Sequence, residues 1–149
     1  MQQQGEKTDF DYMIAELQEQ VIQEARAIYS PEVIEEALNP QNLGRMTESD
    51  AHATVRGWCG DTMEIYLRLN GDRIEQAAFM TDGCGPTVAC GSKLTAMVCG
   101  KPLEEAGAVG PQDLLDALGG LPEESVHCAE LAVNTLREAI SSGSRAEGQ

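Results

Sequence analysis

Apolar residues at Ile14, Leu17, Val21, Ala25 and Ile28 recur between Asp11 and Tyr29 at the spacing of one helix face. Ser30-Pro31 ends that helix and suits the start of another, with Ser30 as cap and Val33, Ile34, Ala37 and Leu38 as its apolar side. Asn39-Pro40 stops the second helix, because the residue before a proline is steered out of helical backbone. A polar loop to about Asp50 leads into Ala51 to Gly57, a weak strand candidate. The period then changes to two. Met63, Ile65, Leu67 and Leu69 alternate with Thr62, Glu64, Tyr66 and Arg68, which is the pattern of a strand with one buried face. Asn70-Gly71 predicts a hairpin, and Arg73 to Met80 returns as a further strand with Ile74, Ala78 and Met80 on one side.

Helical spacing resumes after Pro86, where Val88, Leu94, Thr95, Met97 and Val98 supply an apolar face up to a stop at Gly100. Pro102 to Leu118 reads as one or two short acidic helices interrupted near Gly107 to Pro111. A last helix is predicted from about Glu124 to Ile140, with Cys128, Leu131, Thr135, Leu136 and Ala139 along one stripe. No βαβ unit and no internal repeat is present, so the order of elements predicts an α+β fold: a small antiparallel sheet of about three strands packed against several helices, the C-terminal one long. Residues 1–10 are expected to be a flexible start, 11–140 a single domain and 141–149 a flexible tail.

Size and charge narrow the functions. At 149 residues the chain has room for one core and not comfortably for two. Its formal net charge of -15 repels phosphate backbones and anionic lipid, which argues against nucleic acid and membrane partners and leaves a basic protein partner open. Neither a secretion signal nor a membrane-length apolar run is present, so a cytoplasmic location is expected. There the five cysteines are thiols or ligands rather than disulfides, and none of them forms a Cys-x-x-Cys pair.

Three of those cysteines have polar or glycine neighbours suited to chemistry. Cys59 precedes the central strand with Asp61 two positions on, and Gly60 between them lets the backbone bend. Cys84 stands between two glycines at a strand-to-helix join, where a helix start favours anionic sulfur. His127 and Cys128 are adjacent near the start of the last helix, close enough in angle to border one concave site. Thiolates, an imidazole and a carboxylate are the donor types of a zinc or iron site. The bland alternatives are a small buried hydrophobe for each cysteine, a turn former for Asp61 and a helix-end residue for His127. Cys90, nearly two helical turns beyond Cys84, is a spare sulfur, and Cys99 reads as core or helix-end packing; Met63 and Met97 read as core.

Taken in order, Tyr29-Ser30-Pro31-Glu32-Val33-Ile34, Asn39-Pro40-Gln41-Asn42-Leu43-Gly44, Cys59-Gly60-Asp61-Thr62-Met63, Thr81-Asp82-Gly83-Cys84-Gly85, Gly100-Lys101 and His127-Cys128-Ala129-Glu130-Leu131-Ala132 form a series of blocks. The series resembles the U-type iron-sulfur cluster scaffold family, that is IscU and the amino-terminal scaffold domain of NifU, from about Tyr12 to Ile140. The resemblance implies that Cys59, Cys84 and Cys128 accept sulfur and bind a nascent cluster, with Asp61 first and His127 second as candidates for the fourth ligand. It implies a transient 2Fe-2S cluster, a 4Fe-4S cluster as the larger alternative, and zinc as an occupant of the cluster-free site. It also implies a cysteine desulfurase and apo iron-sulfur acceptor proteins as partners, a homo-oligomer as one possible state, and no independent enzymatic turnover.

Two departures qualify the resemblance. Cys90 replaces a serine common in the family, and Leu121-Pro122-Glu123-Glu124-Ser125 replaces the Leu-Pro-Pro-Val-Lys bound by the dedicated Hsp70 chaperone, which weakens the expectation of that partner. The forty-four positions from Cys84 to Cys128 match the iron-binding branch and leave no room for the segment that marks SufU, the zinc-containing sulfur acceptor. The absence of NifU's further domains implies a stand-alone scaffold. A SufU-like sulfur acceptor or a structural zinc protein is the alternative on the same residues. A thiol enzyme using Cys128 and His127 ranks below both, since no oxyanion or substrate motif accompanies them.

Overall fold

Thr8 and Asp11 close a reciprocal cap: the Asp11 amide donates to Thr8 Oγ1 at 3.2 Å and the Thr8 amide donates to Asp11 Oδ2 at 3.0 Å. That cap starts α1, Asp9–Ile28, two residues before the apolar spacing predicted. The computed structural model describes residues 8–147, so residues 1–7 of the expected flexible start lie outside it, while Asp9 and Phe10 are helical. Helix α2, Pro31–Leu38, begins as the sequence predicts, with Ser30 Oγ accepting the Val33 amide at 3.1 Å. The same Ser30 hydroxyl donates to the Leu118 carbonyl, tying α2 to a distant turn.

The sheet has the order β1 (Ala51–Arg56), β2 (Thr62–Asn70) and β3 (Arg73–Thr81), all antiparallel. Met63, Ile65 and Leu67 of β2 are fully buried, and Val55, Ala53 and Ala51 of β1 stand opposite them in register. This explains why β1 looked weak in sequence: its inward positions are small, because the last helix lies close against them. On β3 the predicted face is corrected. Ala77 and Phe79 are buried with Ile74, whereas Ala78 and Met80 are only half-buried. Arg68 pairs with Gln76 but Leu69 pairs with Ile74, so Glu75 is an extra residue in the strand. A bulge of one residue exchanges the two faces beyond it.

Helix α3, Gly85–Val98, is buried around most of its circumference, including Ala89, Cys90, Leu94, Thr95 and Val98. It packs on β3 at Gly91, where a side-chain carbon would stand 2.4 Å from the Phe79 ring. The predicted apolar face holds at Leu94, Thr95 and Val98, while Val88 and Met97 are half-buried. Two short helices follow, α4 (Leu103–Ala108) and α5 (Pro111–Ala117), then a 3-10 turn at Glu123–Ser125 and the long α6, Val126–Glu147. The expected tail from Ser141 is thus helical to Glu147, and residues 148–149 lie outside the described ones. One core runs from Val33 in α2 through the sheet and α3 to Ala139 in α6. The α+β architecture is the predicted one: the helices cover one sheet face, and the other carries the Arg45–Glu64 ion pair at 3.1 Å and His52 stacked on Tyr66. Among the described residues no helix is long and apolar enough to cross a membrane.

Candidate metal centre

Three chain joins meet at one end of the sheet. Between β1 and β2 the Gly57 amide donates to the Asp61 carbonyl at 2.7 Å, closing a turn that carries Trp58, Cys59 and Gly60. Gly60 has φ +99°, a backbone region that side-chain-bearing residues rarely enter, so the residue between Cys59 and Asp61 is a glycine for a conformational reason. The turn leaves Cys59 exposed and Asp61 half-buried. Between β3 and α3, Asp82 Oδ1 accepts the Thr62 amide at 2.8 Å and Thr81 Oγ1 accepts the Gly83 amide at 3.0 Å, which fixes the approach to Cys84. Cys84 is the N-cap of α3; its side chain makes no capping bond and is exposed. The third join is the first turn of α6, which holds His127 and Cys128.

Thr87, in the first turn of α3, links two of these joins. Its Oγ1 lies 3.1 Å from Asp61 Oδ2 and 3.3 Å from Cys128 Sγ. His127 Nε2 is 3.8 Å from Cys128 Sγ, and its ring lies 5.1 Å from that of Trp58 at a tilt of 57°. Cys128 is only 3% exposed. Burial pushes its thiol up from the ordinary range, the Thr87 hydrogen bond pulls it down, and the charges of Cys84, Asp61 and Cys59 push it up further.

The structure brings part of the sequence-predicted set into contact. Asp61, His127 and Cys128 are joined by direct contacts or through Thr87, whereas Cys59 and Cys84 border the same end as exposed groups. Among the described residues no three His, Cys, Asp or Glu side chains stand arranged to hold a metal ion. The donor types fit iron or zinc: soft sulfur, borderline imidazole and one hard oxygen. Cys90 is fully buried, and burial first and then the charge of Cys128 push its thiol far up, so it is a neutral sulfur. Of the two places expected for Cys99, core or helix end, the structure gives the helix end, and the residue is exposed. It is the C-cap of α3, away from Cys84, and its sulfur donates to the Glu75 carbonyl at 3.4 Å.

Thr87 and Trp58 were not singled out by sequence reasoning. The available signals were the place of Thr87 three residues after Cys84 and that of Trp58 directly before Cys59; Trp58 is 84% exposed.

The model of the NifU-like N terminal domain family matches residues 28–147 of the chain. The iron-sulfur cluster assembly scaffold protein IscU 1 of Archaeoglobus fulgidus is 39% identical over 123 residues, which span 82% of this chain and 80% of that protein. The IscU scaffold protein of Aquifex aeolicus is 37% identical over 115 residues, 75% of this chain and 73% of that protein. The crystal structure of a nitrogen-fixing NifU-like protein (N-terminal) from Brucella abortus superposes with a TM-score of 0.64 at 22% identity, covering 79% of this chain and 95% of that one. At that identity the likeness is one of fold.

Proposed function

The chain belongs to the family of NifU-like N-terminal domains, and from that premise we propose that it is a scaffold on which an iron-sulfur cluster is built from iron and desulfurase-derived sulfur and then passed to apo-proteins. The observation that supports this reading is the linkage of Asp61 through Thr87 to Cys128, which His127 also contacts, beside the turn that carries Cys59 and the N-cap position of Cys84. The scaffold unit, expected to end at residue 140, is proposed to run on to Glu147, where α6 and the family match both end.

Exposure divides the work. Cys59 and Cys84 are accessible to a partner, so either is suited to receive sulfur: its thiolate attacks the sulfane sulfur of a desulfurase persulfide, a new S–S bond forms, and the desulfurase thiolate leaves. Reducing that sulfane sulfur to sulfide takes two electrons, which a dithiol or a reduced electron-transfer protein supplies. Cys128 at the floor is suited to hold iron rather than to meet a partner. Asp61 is the proposed fourth ligand and His127 the second candidate, a hard or borderline donor among sulfurs that leaves one corner easy to exchange. A scaffold must let go of its cargo, and it turns over no substrate of its own.

The site is tested by anaerobic addition of iron, cysteine and a cysteine desulfurase, following visible absorption. Single alanine substitutions at Cys59, Cys84 and Cys128 are each expected to abolish or strongly weaken the cluster spectrum. Spectra unchanged in all three would overturn the site. Metal analysis of protein prepared without added zinc distinguishes a zinc-bound sulfur acceptor, which holds zinc tightly and builds no transferable cluster.

A further inference from the structure

Given the scaffold reading, on which this inference rests, we propose that Thr87 is a positioning residue of the cluster site, its single hydroxyl hydrogen coupling Asp61 to Cys128. A threonine hydroxyl within a helix ordinarily turns back to the carbonyl one turn earlier. Thr95 does so, donating to the Gly91 carbonyl at 2.8 Å, and Thr135 does so toward the Leu131 carbonyl at 2.7 Å. Thr87 stands in the first turn of α3, where the carbonyl four residues back, that of Gly83, lies outside the helix; its Oγ1 is directed across two chain joins, 3.1 Å from Asp61 Oδ2 and 3.3 Å from Cys128 Sγ, and the residue is fully buried. Its side chain is held there by close packing: a side-chain carbon at Gly83 would come within 2.7 Å of Thr87 Cβ. The glycine before Cys84 is thus the space into which Thr87 fits.

The hydrogen inventory gives this placement a consequence. A hydroxyl carries one hydrogen and two acceptor positions. With Cys128 as a thiol, sulfur donates to Oγ1 and Oγ1 donates to the Asp61 carboxylate, so both contacts are satisfied at once. A sulfur bound to iron carries no hydrogen and can only accept. The one hydroxyl hydrogen then has two claimants, and turning it to sulfur removes the donor that restrains Asp61. Loading of Cys128 is in this way transmitted to the carboxylate proposed as the exchangeable ligand, with no movement of the backbone. Residues that orient metal ligands from outside change metal affinity about 10–100-fold when they are lost.

The test uses the full chain, reduced and metal-free under anaerobic conditions, with cobalt(II) as probe and the thiolate-to-cobalt charge-transfer absorption as readout. Thr87→Val keeps the shape and removes the hydroxyl; it is expected to weaken cobalt binding about 10–100-fold while the protein still melts cooperatively. Thr87→Ser is expected to bind nearly as the unaltered chain does. The loss caused by Asp61→Ala is expected to shrink in the Thr87→Val background, as it must for residues acting as one unit. Cobalt binding unchanged in Thr87→Val, a Thr87→Ser variant as weak as Thr87→Val, or additive losses with Asp61→Ala would each overturn the coupling. Should Thr87→Val not melt cooperatively, Thr87→Ala set against Thr87→Ser makes the same comparison. The scaffold reading fails separately, if the unaltered chain builds no cluster from iron, cysteine and a desulfurase; the cobalt series would still decide whether Thr87 positions the metal ligands.

Discussion

Cys90 and Cys128 are both buried, and apolar surroundings raise both thiols above the ordinary value of 9.0, because a thiolate there gives up its hydration. Between the unfolded and folded values the folded chain holds protons that the unfolded chain has lost. The stability these thiols contribute is therefore complete below the ordinary value of 9.0 and declines as pH rises above it. Urea unfolding of the reduced, metal-free protein is expected to show that decline, and Cys90→Ala is expected to flatten it even though the cavity lowers stability throughout. An equal slope in both proteins would contradict the assignment. Asp61 is the proposed hard donor among soft ones. Asp61→Cys supplies a further thiolate and is expected to hold the cluster more firmly, slowing its release to an acceptor in a stopped transfer assay. The residues named in the sequence for this site were legible because cysteine, aspartate and histidine carry their chemistry in their type and order. Thr87 was not, because its role depends on a hydroxyl direction that only the meeting of three joins creates.

Helix α3 meets the sheet through an absent side chain. With the Phe79 ring 2.4 Å from where a Gly91 carbon would be, Gly91→Ala must shift the helix or the ring and is expected to cost about 1–3 kcal/mol in denaturant unfolding. Gly107→Ala in α4 is the control: its added carbon meets only Ile140 at an ordinary 3.9 Å, so helix propensity should dominate and stability should rise by about 0.5–1 kcal/mol. The apolar spacing named the elements well, from the Ser30 cap to the Asn70-Gly71 hairpin. It misassigned the face of β3, since period two assumes an uninterrupted pleat and Glu75 interrupts it. It also extended neither end helix far enough. Reciprocal capping by Thr8 and Asp11 begins α1 early, and the polar residues after Ile140 continue α6, where Gly143 lies against Ala51 at a would-be carbon distance of 2.9 Å.

The molecule is a core from α2 to α6 with α1 laid against its outside. No residue of α1 is buried, and Leu17, Val21 and Ile28 remain largely exposed. Removing residues 1–28 is accordingly expected to leave cooperative unfolding intact and to cost no more than about 1–2 kcal/mol. Loss of cooperativity would mean that α1 supports the core. The fold places the three cysteine-bearing joins at one end while the acidic charge of the whole chain, -15, is available to a basic partner surface. Sequence could name those joins but not their meeting, which needs the antiparallel register of β1 and β2 and the return of α6 beneath them. The central claim is that this end builds a cluster and gives it up. The direct measurement is anaerobic assembly with iron, cysteine and a desulfurase, followed by mixing with an apo-ferredoxin and separation of the two proteins. The cluster spectrum, with its iron and sulfide, is expected to leave this chain and appear on the ferredoxin; a cluster that stays, or tightly held zinc with no cluster to transfer, would show that this end is no scaffold.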